Sequence, residues 1–285
     1  MQRRAFLTTG AGLAGLNAFP CHLLAGARKE ASDIVTLGPR KIRLSRLAQG
    51  TGTNGGGGSS NQTKKLGLGG VGDLLKAGHD NGLTFWDSAD QYGTHAHVKE
   101  GLRRVPRDKV VIMSKTHAST EAEMKADIDR FRREIGTDYI DILLLHCMMD
   151  GTWPERKKGA MEYISQLQEK GVVRTKGVSC HTLAALKTAA RTPWVEVDLA
   201  RLNPAGVAMD GPPAQVIPVL QEMKAAGKGI IGMKILGAGK LRDKADECLQ
   251  FALAQDVLDC FTIGAESIAE MSDLLRKIPA ASTRG

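Results

Sequence analysis

The chain has 285 residues, with 39 Lys and Arg against 31 Asp and Glu, a formal net charge of +8. Hydrophobic residues make up 42%, enough for a globular core, and the length suits one large domain or two small ones. Aromatic residues make up only 4% and the basic residues are scattered among acidic ones, which argues against a nucleic-acid partner.

Residues 1–27 have the features of an export signal. The twin arginines Arg3 and Arg4 precede a weakly hydrophobic run rich in Gly and Ala, and Ala25-Gly26-Ala27 provides a small-residue cleavage site. The run is too short and too rich in glycine to span a bilayer stably. We therefore expect a twin-arginine signal peptide, read by the twin-arginine export machinery, and a periplasmic or secreted protein. A disordered N-terminus on a cytoplasmic protein is the alternative.

The five cysteines are Cys21, Cys147, Cys180, Cys248 and Cys260. No two of them stand at zinc-ligand or redox-pair spacing, so we expect neither a metal site nor a disulfide framework. Two of them, Cys248 and Cys260, lie in apolar runs and are expected to be buried thiols.

Short strands and helices are predicted along the rest of the chain. Residues 34–37 and 42–44 flank a Gly-Pro turn and indicate a hairpin. A core strand is predicted at 45–52, followed by a mobile Gly-, Ser- and Asn-rich loop at 54–63. Helices are then predicted at 70–81, 95–103, 120–135, 154–169, 182–190, 213–226, 242–255 and 267–277, and strands at 83–86, 110–114, 140–145, 175–178, 195–199, 230–233 and 260–263.

The first core strand and the alternating segments make eight strand–helix units. Most of the strands are short apolar runs without clean alternation, which is typical of parallel strands covered on both faces. Eight such units in one domain most simply close into an α/β fold of the (β/α)₈ TIM-barrel class, here spanning 28–285, with the hairpin plugging its bottom. An open doubly wound sheet is the alternative, although no GxGxxG follows the first strand.

Four reactive side chains follow successive predicted strands. Asp87, Lys115 and His146 stand at the ends of the second, third and fourth strands, and Tyr92 lies in the loop after the second. The C-terminal ends of the strands form the active-site face of such a barrel. Because neighbouring parallel strands are about 4.8 Å apart, the four side chains can meet at one rim.

This set of groups suits the reduction of a carbonyl. A hydride that reaches the carbonyl carbon leaves negative charge on oxygen, which needs a proton, and the Tyr92 phenol can donate one. We expect the Lys115 ammonium to lower the pKa of Tyr92, Asp87 to pair with Lys115, and His146 to orient the carbonyl. Each residue alone has an ordinary structural explanation, such as a cap or a surface ion pair. A Schiff-base lyase fits less well, because pairing with Asp87 keeps the amine protonated.

At these positions the sequence resembles the aldo-keto reductase family. The resemblance is carried by Phe85–Gly93, Ser114-Lys115, Leu144–His146 and Gly171–Ser179, while 232–237 resembles a divergent bacterial branch. It implies an NAD(P)-dependent oxidoreductase that transfers a hydride between NADP or NAD and a small aldehyde, ketone, sugar or alcohol. The four reactive side chains named above would be its catalytic residues.

The resemblance also implies which residues bind the cofactor, from its carboxamide at one end to its adenosine at the other. Three positions depart from the family pattern: Cys180 replaces Asn, Leu199 replaces Gln, and Met233 or Lys234 replaces Tyr. These departures keep open a non-catalytic barrel that binds a cofactor or a partner. The implied cofactor-binding residues are Gly50, Thr51, Ser179, Cys180, Lys234, Leu236, Gly237, Gly239, Gly264 and Ser267.

Overall fold

The structure is a computed structural model that describes residues 28–282. The predicted signal peptide at residues 1–27 lies outside these residues. Within them the strands are β1 Ile34–Leu37, β2 Ile42–Ser45, β3 Leu47–Gly50, β4 Phe85–Asp87, β5 Val111–Thr116, β6 Ile140–Met148, β7 Val173–Cys180, β8 Val197–Arg201, β9 Gly229–Met233 and β10 Cys260–Ile263.

Helices alternate with these strands along the chain. Short 3-10 helices at Asp90–Tyr92, Arg107–Lys109, Gly237–Gly239 and Arg242–Lys244 add to them. The α-helices are α1 Asn61–Asp80, α2 His95–Leu102, α3 Glu121–Ile135, α4 Trp153–Arg156, α5 Lys158–Glu169, α6 Leu183–Arg191, α7 Pro213–Ala225, α8 Ala245–Ala254 and α9 Ile268–Ser282.

Strands β3 to β10 form a closed barrel in which consecutive strands pair in parallel and β10 returns to pair with β3. The predicted (β/α)₈ barrel is therefore confirmed, and the open sheet is excluded. Inward-facing side chains such as Phe85, Met113 and Leu144 form one buried cluster inside the barrel. A larger cluster, which includes Leu143 and Leu145, lies between the barrel and its helices, as expected where neighbouring residues face opposite sides.

Strands β1 and β2 form the predicted antiparallel hairpin. Its apolar residues Leu37, Ile42 and Leu44 are buried in the cluster inside the barrel. A Cβ on Gly38 would lie 3.2 Å from the Glu196 carbonyl, just before β8, so the hairpin turn contacts the N-terminal ends of the strands. The hairpin thus closes the bottom of the barrel and leaves the opposite end open.

Two predicted boundaries are wrong in ways that have a physical cause. Helix α1 begins at Asn61, not near residue 70, because Ser60 caps it and exchanges capping hydrogen bonds with Thr63. Gly67, at φ 62°, then interrupts the helical geometry, which explains why the pattern before residue 70 does not predict a helix. The predicted fourth helix is likewise divided into α4 and α5 at Lys157.

Strands β5 and β6 extend further than predicted. Thr116 pairs with Leu145, and Met148 pairs with Cys180 after a shift of register. As a result Lys115 lies inside β5, where it pairs with Leu144, and His146 lies inside β6, within the register shift.

The four cysteines between residues 28 and 282 are free, and the predicted burial of Cys248 and Cys260 is confirmed. Over the same residues, no helix is long and apolar enough to cross a membrane.

Candidate active site

A buried ion pair lies at the open end of the barrel. The Lys115 ammonium pairs with the Asp87 carboxylate and donates a 2.8 Å hydrogen bond to the Ser88 carbonyl. The second carboxylate oxygen of Asp87 accepts a 2.9 Å hydrogen bond from the Thr262 hydroxyl on β10. Lys115 is fully buried and Asp87 nearly so. The pair therefore joins three strands of the barrel rim.

The surroundings of Lys115 keep it protonated. Burial acts to lower the pKa of this ammonium, but the negative charge of Asp87 and the nearby phenol of Tyr92 outweigh it. The net effect is a pKa above the ordinary lysine value, because the charged form is stabilised by its partners more than it is destabilised by loss of water.

Tyr92 lies next to this pair, at the end of the 3-10 helix that follows β4. The Lys115 Nζ is 4.8 Å from the centroid of the Tyr92 ring, and its charge acts on the Tyr92 phenol. Burial raises the pKa of Tyr92, Lys115 opposes this rise, and Asp87 adds to it. Lys115 therefore acts to lower the pKa of Tyr92 as expected, but the net shift is upward, because desolvation of the phenolate is the larger effect.

A glycine loop holds the Tyr92 ring in place. A Cβ on Gly52 would lie 2.2 Å from Cε2 of the ring, and a Cβ on Gly55 would lie 2.4 Å from Cδ1. Gly93 has φ 63°, and a Cβ there would lie 2.0 Å from the Gly58 carbonyl oxygen. The loop after β3 therefore packs its bare backbone against the phenol ring, which side chains at these positions would prevent.

The His146 ring also packs against Tyr92. The two ring centroids are 5.6 Å apart in an edge-to-face arrangement. Burial, aided by the charge of Lys115, lowers the pKa of His146 to about 2. The imidazole is therefore neutral near pH 7, and it keeps one N–H with which to orient a carbonyl oxygen.

Three further side chains lie near His146 and were not among the predicted catalytic or cofactor-binding residues. His117 stacks on His146 with centroids 4.9 Å apart, and His181 meets it edge-on at 6.4 Å. Cys147 Sγ lies 3.6 Å from His181 Nε2. The only signal in the sequence is their position, since His117 and His181 follow a strand by one residue and Cys147 follows His146.

A cavity of about 260 Å³ opens beside Asp87 and Tyr92 and extends outward between the loops after β9 and β10. Five of the ten predicted cofactor residues line it, together with Leu199 and Met233. Its outer end is lined by Arg242, Glu270 and Asp273, which the sequence analysis did not single out. The predicted residues in the lining are Gly50, Lys234, Leu236, Gly239 and Gly264.

The other five predicted cofactor residues do not line this cavity. Thr51 is buried and donates to the Asp87 carbonyl at 2.8 Å, and Ser179 accepts a hydrogen bond from the Cys147 amide. Gly237 is buried at φ 55°, and Ser267 accepts from the Glu270 amide at the start of α9. These four residues support the site through backbone contacts.

Cys180, the fifth of these residues, faces away from the open end of the barrel. It is fully buried in the layer between the barrel and its helices, near the carboxyl group of Asp198. Its placement beside the carboxamide is wrong, because Ser179 faces inward and alternation along β7 turns the next side chain outward.

Comparisons with known proteins agree with this architecture. A model described as "Aldo/keto reductase family" matches residues 46–280. The aldo-keto reductase AMT2 of Alternaria alternata is 26% identical over 162 residues, which are 43% of this chain and 44% of that protein. The chain spans about a third to a half of the length of the curated relatives it matches.

Two solved structures show the same fold. A Pseudomonas aeruginosa protein assigned as an aldo-keto reductase superposes with a TM-score of 0.74 at 20% identity, covering 89% of this chain and 97% of that one. An aldo/keto reductase from Klebsiella pneumoniae, in complex with NADP and acetate, gives 0.63 at 22% identity, with 88% and 90% covered.

The buried pair makes a stability prediction. Asp87→Ala leaves the Lys115 ammonium buried without a counter-charge, so the free energy of unfolding in urea should fall by about 3–5 kcal/mol. The matched control is Asp80→Ala, which removes an exposed partner of Lys76 and should leave the unfolding free energy nearly unchanged. Adding Lys115→Met to Asp87→Ala should recover part of the loss. Equal effects of the two single substitutions would contradict this assignment.

Proposed function

The chain belongs to the aldo/keto reductase family, and we propose that it transfers a hydride between a nicotinamide cofactor and a small carbonyl or alcohol substrate. One observation carries the proposal: a fully buried Lys115 ammonium is held by Asp87 beside the Tyr92 ring. This arrangement places a positive charge beside the one group that must gain and lose a proton.

The cavity lies where the family resemblance implies that the cofactor binds. It runs from Asp87 and Tyr92 to an outer end lined by Arg242, Glu270 and Asp273, where Arg242 is the cation that would meet an anionic group of the cofactor. At one wall of the cavity the backbones of Gly50 and Gly264 approach each other closely, since a Cβ on Gly50 would lie 3.0 Å from the Gly264 amide nitrogen. When bound, a nicotinamide cofactor supplies or accepts the hydride. NADP is the cofactor in the Klebsiella pneumoniae structure, and NADP or NAD is the cofactor proposed here.

The side chains of this site divide the remaining work. Tyr92 donates its phenolic proton to the developing alkoxide during reduction and takes it back during oxidation. Lys115 stabilises the phenolate that forms, and Asp87 holds Lys115 in position. The neutral His146 donates a hydrogen bond to the carbonyl oxygen.

The direction of the Tyr92 pKa shift determines how the rates of reduction and oxidation depend on pH. Because burial raises the pKa of Tyr92, the phenol is protonated at neutral pH and is competent for reduction. Oxidation of an alcohol needs the phenolate, so its rate should rise with pH above neutrality while the rate of reduction falls.

A non-catalytic barrel remains the second candidate. It is favoured by Leu199 and Met233, which line the cavity with apolar surface at positions where the family resemblance implies Gln and Tyr. A single assay distinguishes the two candidate functions. An enzyme oxidises added NADPH or NADH with at least one member of a panel of aldehydes, ketones and sugars. A barrel that only binds oxidises neither coenzyme.

The assigned acid can be tested by Tyr92→Phe. Removing the phenol should lower turnover by about 10²–10⁴-fold while cofactor binding, followed by fluorescence titration, stays within a few-fold of the original. Tyr163→Phe is the matched control, since this tyrosine packs at the helix layer away from the rim. Turnover that survives in Tyr92→Phe would exclude Tyr92 as the acid.

The glycine loop makes a second prediction about turnover. A methyl group at Gly52 must displace the Tyr92 ring, so Gly52→Ala should lower kcat by about 10–100-fold. Gly56 stands in the same loop with nothing within 4 Å of an added Cβ, and Gly56→Ala should leave kcat unchanged. Equal rates for the two variants would show that the ring position does not depend on this contact.

We also propose that residues 1–27 are a twin-arginine signal that exports the folded protein from a bacterial cytoplasm. The proposal is supported by Arg3 and Arg4, the Gly- and Ala-rich run after them, and the small residues at 25–27. Twin-arginine signals are typical of proteins exported after folding, often with a cofactor bound. This suits an oxidoreductase, because free nicotinamide cofactor is scarce outside the cytoplasm.

Replacing both arginines tests the export proposal. In the double variant Arg3→Lys/Arg4→Lys the full-length protein should accumulate in the cytoplasm, whereas the original chain should appear, shortened, in the periplasmic fraction or the medium. Lys29→Arg, outside the signal, is the control. Equal distribution of the original chain and the double variant would count against a twin-arginine signal.

A further inference from the structure

We propose that His117, His146 and Cys147 form a binding site for a borderline-soft divalent cation, represented by Zn²⁺, next to Tyr92. Each residue offers one ligand atom, and the three atoms lie within 4.8 Å of one another. Tetrahedral zinc with bonds of about 2.0–2.3 Å separates its ligand atoms by about 3.3–3.8 Å. Side-chain adjustments of about an ångström would therefore complete the site.

His146 provides a nitrogen that has no other use in the structure. Its Nδ1 is buried and has no hydrogen-bond partner, and only 3% of the residue is exposed. A buried polar atom without a partner is costly, and a bound cation would remove that cost.

The hydrogen bonds around His117 leave its second nitrogen free to act as a ligand. Gln91 donates from Nε2 to the Gly55 carbonyl, which turns its Oε1 toward His117. That oxygen lies 2.6 Å from His117 Nε2, so Nε2 carries the ring proton. The lone pair is then on Nδ1, and a carbonyl that fixes the tautomer in this way is the usual outer partner of a metal-bound histidine.

The backbone brings Cys147 to the same side as His146. In a regular strand two successive residues point to opposite faces. Here the pairing register of β6 shifts between Leu145 and Met148, and Cys147 has φ 60°, a left-handed conformation that is rare outside glycine. The Cys147 amide is held by the Ser179 hydroxyl at 3.0 Å, so this bulge is built into the rim.

His181 is available for the fourth position. Its Nε2 lies 3.6 Å from Cys147 Sγ, which equals the separation of a nitrogen and a sulfur across a tetrahedral zinc ion. Either this imidazole or a water molecule would complete four ligands. The donor set of imidazole nitrogen and thiolate sulfur selects zinc-like ions over Mg²⁺ and Ca²⁺, which prefer oxygen.

Nearby positive charges oppose a cation here. Two of them, Lys115 and Arg201, are already compensated, whereas Lys157 and Lys234 form no ion pair among residues 28–282. Asp87 pairs with Lys115, and Asp210 pairs with Arg201. When the cation binds, the Cys147 thiol releases its proton to water and forms the metal–sulfur bond as a thiolate. One positive charge of the ion is thereby neutralised at the site.

In a second group of possible ligands every ligand atom already has a partner. Asp90, His95 and Glu134 also bring their ligand atoms within 4.8 Å. There, however, His95 contacts Glu134 through Nδ1 and Ser114 through Nε2, and Arg130 pairs with both carboxylates. No atom of that grouping lacks a partner, so it carries no metal proposal.

The spacing of the cysteines alone predicts no metal site, because it leaves the histidines out. This site combines one cysteine with histidines from β6 and from the loop after β5. The inference does not depend on the proposed reaction, since metal binding is measured without substrate or cofactor. If the protein does not catalyse the proposed reaction, metal binding can still be measured, and the reverse also holds.

Cobalt(II) is the first probe, because it occupies zinc sites and absorbs visible and near-ultraviolet light when bound to a thiolate. Titration of the metal-free protein with Co²⁺ should produce a thiolate-to-cobalt charge-transfer band that saturates at one equivalent. Added Zn²⁺ should remove it, and Mg²⁺ should not. Absence of the band would overturn the proposal.

Substitutions then assign the ligands. Cys147→Ser should abolish the charge-transfer band, and His117→Ala should weaken Zn²⁺ binding, followed by calorimetry, at least tenfold. Cys248→Ser and His79→Ala remove a thiol and an imidazole elsewhere and should leave both signals unchanged. Circular dichroism establishes that each variant is folded. A band that persists in Cys147→Ser would overturn the assignment.

Bound Zn²⁺ should also protect Cys147 from alkylation. Mass spectrometry after iodoacetamide treatment reports each cysteine separately, and the buried Cys180 and Cys260 serve as internal references. We expect the rate at Cys147 to fall at least tenfold with Zn²⁺ and to recover with a chelator. An unchanged rate at saturating Zn²⁺ would contradict binding through this thiol.

Discussion

The buried charge of Lys115 is the constraint on which the open end of the barrel depends. An ammonium removed from water is stable only beside a counter-charge and with its protons hydrogen-bonded. Asp87 and the Ser88 carbonyl meet that need, and Thr262 satisfies the other oxygen of Asp87. Because these groups come from β4, β5 and β10, the pair requires a closed ring of strands as much as it requires the residues themselves.

Two kinds of surface meet at the Tyr92 phenol. The backbone of Gly52 and Gly55 contacts the ring, and the cavity proposed for the cofactor opens beside it. The imidazole of His146 also packs edge-on against the ring. His146 therefore belongs both to the proposed carbonyl site and to the proposed metal site, so a bound ion would share an imidazole with the reaction.

Much of the architecture follows from local patterns. Apolar runs and helical spacing predict every barrel strand and most helices, since burial on both faces leaves a plain signal in the sequence. The errors occur where a local pattern competes with a contact made elsewhere. Ser60 and Thr63 start α1 within a glycine-rich run, and pairing with β7 carries β6 as far as Met148.

By itself the sequence determined the eight-unit barrel and the order of the strands that carry Asp87, Lys115 and His146, because short-range periodicity and order along the chain specify both. Only the tertiary structure decided which atoms touch. Desolvation reversed the expected direction of the Tyr92 pKa shift, and alternation along β7 turned Cys180 toward the helices. The bulge at Cys147 brought a thiol beside two imidazoles that lie far apart in sequence. Burial and side-chain direction depend on neighbours from distant segments, and no local pattern of residues contains them.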